Sequence, residues 1–198
     1  MNMVHTNLAG LMVEKVYLDY QELIDDSYRL GAKILESGFR PKFIIALWRG
    51  GTPIGIAVQE FLDRYGNCNS DNIAIRTSSY HGIAERRNTV DIYGMSYLLK
   101  NLSRKDLVLI VDDVFDTGNT IKAVIEQLQE RARKNTPHDI RVAVPYYKPE
   151  ANLTDRVPDY YLHTTDKWLN FPYSIEGLQT DEIRENIPEI YNIIKSSI

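Results

Sequence analysis

The sequence predicts a doubly wound parallel α/β sheet, and three observations carry that reading. Near-continuous apolar runs such as "KFIIALW" and "LVLIVDD" are the mark of strands covered on both faces. Amphipathic segments at helical spacing alternate with them. The chemically unusual residues fall just past the strand ends, where sheets of this class hold ligands.

The elements follow in order. "EKVYL" is a short strand. "DYQELIDDSYRLGAKILESG" is a helix, with Asp19 and Glu22 as a capping box, Gly38 at the exit, and Leu23, Tyr28, Leu30, Ile34 and Leu35 in its apolar stripe. "KFIIALW" is the second strand. "TPIGIAVQEFLDRYG" is a helix that tolerates Pro53 in its first turn and ends on Gly66. "NIAIRTSSY" is the third strand, and the polar "HGIAERRNTV" after it has no clear period. "LVLIVDD" is the fourth strand. "GNTIKAVIEQLQERARKN" is a helix with Ile121, Val124, Ile125 and Leu128 on one face. "DIRVAVPYY" is the fifth strand and "DYYLHTT" the last. The tail "TDEIRENIPEIYNIIKSSI" gives one or two short amphipathic helices. Residues 1–150 read as the core domain, and 151–198 as a smaller C-terminal segment built onto it.

Composition narrows the function classes. A chain of 198 residues with 43% hydrophobic and 25% charged residues suits one well-buried domain. A net charge of −4 argues against coating nucleic acid. The single cysteine, Cys68, excludes an internal disulfide framework and a cysteine-rich zinc site. No apolar run is long enough for a bilayer, and the N-terminus does not read as a secretory signal, so the expected compartment is the cytoplasm, with no membrane partner.

Two loops carry the most chemistry. In "DTGNT", Thr117, Gly118, Asn119 and Thr120 stand between a strand and a helix N-terminus. Unpaired backbone N–H groups, the helix dipole, two hydroxyls and a glycine make a phosphate cradle there. The same five residues alone would also suit an ordinary turn with a threonine cap. Just upstream, Asp112 and Asp113 repel each other unless a cation, sugar hydroxyls or solvent offsets the charge. The other loop is "LWRGG". Gly50 and Gly51 let backbone approach a ligand, and Arg49 brings a fork of donors suited to phosphate, although a tight turn with an exposed arginine fits too.

"VLIVDDVFDTGNT" resembles the phosphoribosyl-pyrophosphate (PRPP) motif of the type I phosphoribosyltransferases, and the remaining loops match that family in order. The resemblance implies the family's fold, with a small C-terminal hood. It implies that Asp112 and Asp113 hold the ribose hydroxyls and Mg²⁺, and that Asp116 to Thr120 hold the 5′-phosphate. It further implies that Trp48, Arg49, Gly50 and Gly51 hold pyrophosphate, with a cis peptide between Trp48 and Arg49. Ser79 and Tyr80 match the start of the family's mobile loop, in which Arg86 and Arg87 would add charge over the pyrophosphate.

Lys148 followed by Pro149, and Trp168 in "DKWLNFPY", resemble the 6-oxopurine branch. Alone, the first would be a solvated lysine and the second a core aromatic. By the resemblance, Lys148 donates to the purine O6, Trp168 stacks on the base, Leu169 contributes backbone, and Asp116 is the general base at N7. Where the family has an aspartate after the aromatic, the candidates here are Ser174 and Glu176; Glu176 is the replacement on the metal, or else the second metal site is weaker. The expected partners are PRPP, a purine base and pyrophosphate, with no nucleic acid, in a homo-oligomer (dimer or tetramer). Transfer to another base, or a PRPP-sensing regulator of the same fold, are the alternatives. Lys148, Trp168 and Asp116 together with an acidic chain weigh against the regulator.

Overall fold

The computed structural model describes residues 4–6, 12–79 and 90–197. The chain divides into two compact units, one made of residues 23–166 and the other of 1–22 with 167–198. This boundary differs from a division after residue 150, and strand pairing explains it. The last sequence-predicted strand joins the central sheet, whereas the first pairs with a strand near residue 169.

The larger unit holds the central sheet. Its strands are β3 (Phe43–Trp48), β4 (Asp71–Ser79), β5 (Val90–Tyr93), β6 (Leu107–Val111), β7 (Val114–Phe115), β8 (Asp139–Tyr147) and β9 (Tyr160–Thr164). The order is β5-β4-β3-β6-β8-β7, with β9 also on β8. Every pairing is parallel except β4 with β5. The antiparallel edge strand β5 begins at Val90, the last residue of the stretch without a period, and continues through residues to which the sequence assigns no element. The helices are α1 (Tyr20–Glu36), α2 (Gly51–Gly66), α3 (Ser96–Asn101) and α4 (Asn119–Ala132).

Alternation along the strands sorts the two faces. Phe43, Ile45 and Leu47 of β3, Val108 and Ile110 of β6 and Val142 and Val144 of β8 pack with Leu98 of α3 and Ile121, Val124 and Leu128 of α4. The opposite set faces α2, where Gly55 is so close to β3 that an added Cβ would lie 3.0 Å from the Ala46 Cβ. The α1 stripe differs from the sequence reading. Leu23, Leu30 and Ile34 are buried, but Tyr28 is exposed, and Asp26 and Ser27 take the inward places. These polar groups are satisfied: the Ser27 hydroxyl donates to the Leu23 carbonyl at 2.7 Å, and Asp26 pairs with Arg29 and with His163 Nε2, each at 2.7 Å. Asp19 caps α1 through N–H groups of Gln21 and Glu22. At the end of α2 the left-handed residue is Asn67, and Gly66 sits against the side-chain ends of Leu35 and Cys68.

In the smaller unit, β2 (Met12–Tyr17) pairs antiparallel with β1 (Val4–Thr6) and parallel with β10 (Trp168–Asn170). The tail forms α5 (Thr180–Asn186) and α6 (Pro188–Ser197). Among the described residues, no helix is long and apolar enough to cross a membrane.

Candidate active site

Because β3, β6 and β8 run parallel in close register, the loops after Trp48, Val111 and Tyr147 leave from one edge of the sheet. The acidic pair has a particular origin. β6 pairs with β8 up to Val111 opposite Ala143, and β7 resumes the same register with Val114 opposite Tyr146. Pro145, which has no N–H to give, stands opposite the gap. The Asp112 N–H still donates to the Ala143 carbonyl at 3.2 Å, but strand pairing then lapses, and the two residues it skips are Asp112 and Asp113.

The glycine loop leans on this gap. A Cβ on Gly50 would overlap the Asp113 carboxylate, and one on Gly51 would overlap the Val111 carbonyl. Only glycines allow that contact, which puts backbone N–H groups beside the acids. The Asp112 carboxylate accepts from the N–H of Asp113 at 3.0 Å and from the Gly51 N–H. Burial, and then the charge of Asp113, push Asp112 well above the usual carboxylate range. This pair of hard oxygen donors, strained by its own repulsion, fits a divalent cation such as Mg²⁺. Among the described residues, no three His, Cys, Asp or Glu side chains gather as a metal-holding group. The Trp48–Arg49 peptide is cis, as the resemblance implies, and both side chains are exposed.

A cleft of about 210 Å³ is lined by residues Asp112 to Gly118, with Thr120 and Ile121. Gly118 has φ +77°, and an added Cβ would come within 2.7 Å of the Phe115 ring and of Thr154 Oγ1. It therefore sets the turn into α4, whose first turn lines the cleft through Thr120 and Ile121. The loop after β8 props this turn, since the Leu153 N–H donates to the Thr117 carbonyl at 3.0 Å. Asn152 holds that loop, its Oδ1 accepting from the backbone and hydroxyl of Thr154, each at 2.9 Å. Asn152 and Thr154 escaped the sequence reading. The Asn-Leu-Thr spacing of an Asx turn was the available signal.

Lys148 and Asp116 come together. The ammonium lies 3.1 Å from Asp116 Oδ2, with the lysine side chain 12% exposed and the aspartate 46%. The Lys148 N–H donates to the Phe115 carbonyl at 2.9 Å, which ties the end of β8 to the acidic strand. Ser79 is the last residue of β4, and Tyr80, Arg86 and Arg87 lie outside the described residues. In the smaller unit, Trp168 opens β10 and is 58% exposed, Leu169 is half-buried, and Glu176 lies in the turn before α5.

The family model described as phosphoribosyl transferase domain matches residues 15–178. The hypoxanthine-guanine phosphoribosyltransferase of Lactococcus lactis is 27% identical over 190 residues, covering 91% of this chain and 94% of that protein. The protein of the same name from Schizosaccharomyces pombe is 29% identical over 189 residues, covering 83% and 91%. Among solved structures, the purine phosphoribosyltransferase of Pyrococcus horikoshii aligns with a TM-score of 0.63 at 28% identity, over 83% of this chain and 97% of that one. With a parallel sheet that carries the acidic pair, the glycine loop and the cradle on one edge, and a family model spanning most of its length, the chain belongs to the phosphoribosyltransferase family.

Proposed function

We propose that the enzyme transfers the 5-phosphoribosyl group of PRPP to a 6-oxopurine (hypoxanthine, guanine or xanthine), releasing pyrophosphate. The observation that carries this reading is the Lys148–Asp116 pair beside the acidic strand end. It sets a donor-only group, suited to a purine O6, next to a carboxylate able to take a proton. The names of the relatives point the same way.

The chain's own residues have distinct tasks in this scheme. The α4 N-terminus with Thr117 and Thr120 binds the 5′-phosphate. Asp112 and Asp113 grip the ribose hydroxyls and keep negative charge near C1′ as the leaving group departs. Arg49 and the N–H groups of Gly50 and Gly51 receive the charge growing on pyrophosphate. Mg²⁺, held by Asp112 and Asp113 with diphosphate oxygens, would neutralise part of that charge. Glu176 takes the place of the family's aspartate after the aromatic. Asp116 accepts the purine N7 proton, Lys148 donates to O6, Trp168 supplies a stacking face and Leu169 its backbone.

The test is a single assay with purified protein, PRPP and Mg²⁺, offering each base in turn and following nucleotide and pyrophosphate. Formation of nucleotide from at least one 6-oxopurine, with adenine turned over poorly, is the expected result. Adenine turnover equal to that of the oxopurines would overturn the base assignment.

A further inference from the structure

The C-terminal tail makes a contact that the scheme above leaves unused. Glu182 of α5 is only 4% exposed. Its Oε1 accepts from Lys15 Nζ at 2.5 Å and from the Tyr17 hydroxyl at 3.0 Å, while Oε2 accepts from the Gln179 N–H at 2.9 Å. Lys15 and Tyr17 are two residues apart on β2, so they share a face of the small sheet. In the register of β2 with β10, Lys15 stands opposite Trp168, and Tyr17 opposite Asn170. Residues paired in register point to the same face, so the Lys15 stem is the neighbour of the indole. The Leu18 N–H closes the pair by donating to the Asn170 carbonyl at 3.0 Å. A tail serving only to cover apolar surface would have no need of a buried carboxylate, which is costly unless its partners are fixed.

We infer that Glu182 is a positioning residue for the base-stacking tryptophan: by anchoring Lys15 and Tyr17 it fixes the strand beside Trp168, and so the tail sets affinity for the purine. The inference rests on the 6-oxopurine reading. Lys15→Met and Glu182→Gln test it. The first leaves the helix cap intact, and the second keeps a capping-box side chain but removes its charge.

Each variant should raise the purine KM about tenfold, inside the ~5- to 150-fold range of a lost base stack. The KM for PRPP and kcat should stay within about twofold. The double variant should be no worse than Glu182→Gln alone, since both substitutions break the same Lys15–Glu182 ion pair. A purine KM unchanged in both folded variants, or KM values for purine and PRPP rising together, would overturn the inference. If the parent protein forms no nucleotide from any 6-oxopurine, the proposed function fails instead. The positioning claim is then read from the Trp168 indole N–H resonance, identified by its loss in Trp168→Phe. That resonance should shift in both variants, and an unmoved one refutes the claim.

Discussion

Asp116 and Lys148 neutralise one another at 3.1 Å, so each has its partner before any base arrives. A 6-oxopurine exchanges that contact for two of its own, one to O6 and one at N7. Asp116→Asn keeps the shape but cannot accept a proton, so kcat should fall by ~10²–10⁴-fold while PRPP binding persists. Near-normal turnover would show that another group takes the N7 proton. Lys148→Ala should act on all three oxopurines together, because a site built around one hydrogen bond penalises its loss whatever stands at C2. Activity retained selectively on one of them would mean that O6 is recognised elsewhere. The residue types of this pair were legible in the sequence. Their contact was not, because it joins positions 32 apart through a strand register that periodicity does not encode.

At the scale of elements, the turn into α4 is over-determined. Gly118 combines φ +77° with two neighbours at 2.7 Å. Gly118→Ala should cost ~1–2 kcal/mol for the left-handed backbone and a further ~1–3 kcal/mol for overpacking. Thermal unfolding should show the loss, and PRPP affinity should drop with it because the cradle turn shifts. α5 offers a pH test. Burial alone would raise Glu182, but the Gln179 N–H, Lys15 and Tyr17 outweigh it and hold the carboxyl down to about 2, against a reference of 4.5. A depressed carboxylate stabilises the fold above its unfolded pKa, and that contribution vanishes as pH falls from 4.5 toward 2. Glu182→Gln should therefore flatten the acid limb of the stability profile in that window, and an unaltered limb would show that the network contributes nothing. The sequence announced one or two short helices in the tail but not this network, in which Glu182 reaches Lys15 and Tyr17 across 167 and 165 residues. It likewise missed β5, since four residues on a sheet edge carry too short a pattern to stand out.

At the scale of the molecule, the strands that are buried on both faces were readable as apolar runs, and the loops that leave them were readable as motifs. What stayed hidden was membership. "EKVYL" looks like any first strand, yet it pairs with β10 and not with the central sheet, because alternation shows that a segment is extended without showing its partner. The distribution of ligand contacts yields a prediction on the whole chain. The glycine loop, the acidic pair and the α4 N-terminus grip PRPP in the proposed scheme, and their arrangement belongs to the native state alone, so the ligand should stabilise the fold by mass action. At about one hundred times its Kd, with Mg²⁺ present, PRPP should add ~2.7 kcal/mol, which raises Tm by roughly 5–10 °C in a chain of this size. Asp112→Ala with Asp113→Ala removes the repelling pair, so the ligand-free Tm should hold or rise, relieved of the burden that lifts the Asp112 pKa. The PRPP-induced shift should disappear in the same variant. A full shift in the double variant would mean that the acidic pair is not what holds the ribose and its metal, even though it lines the cleft.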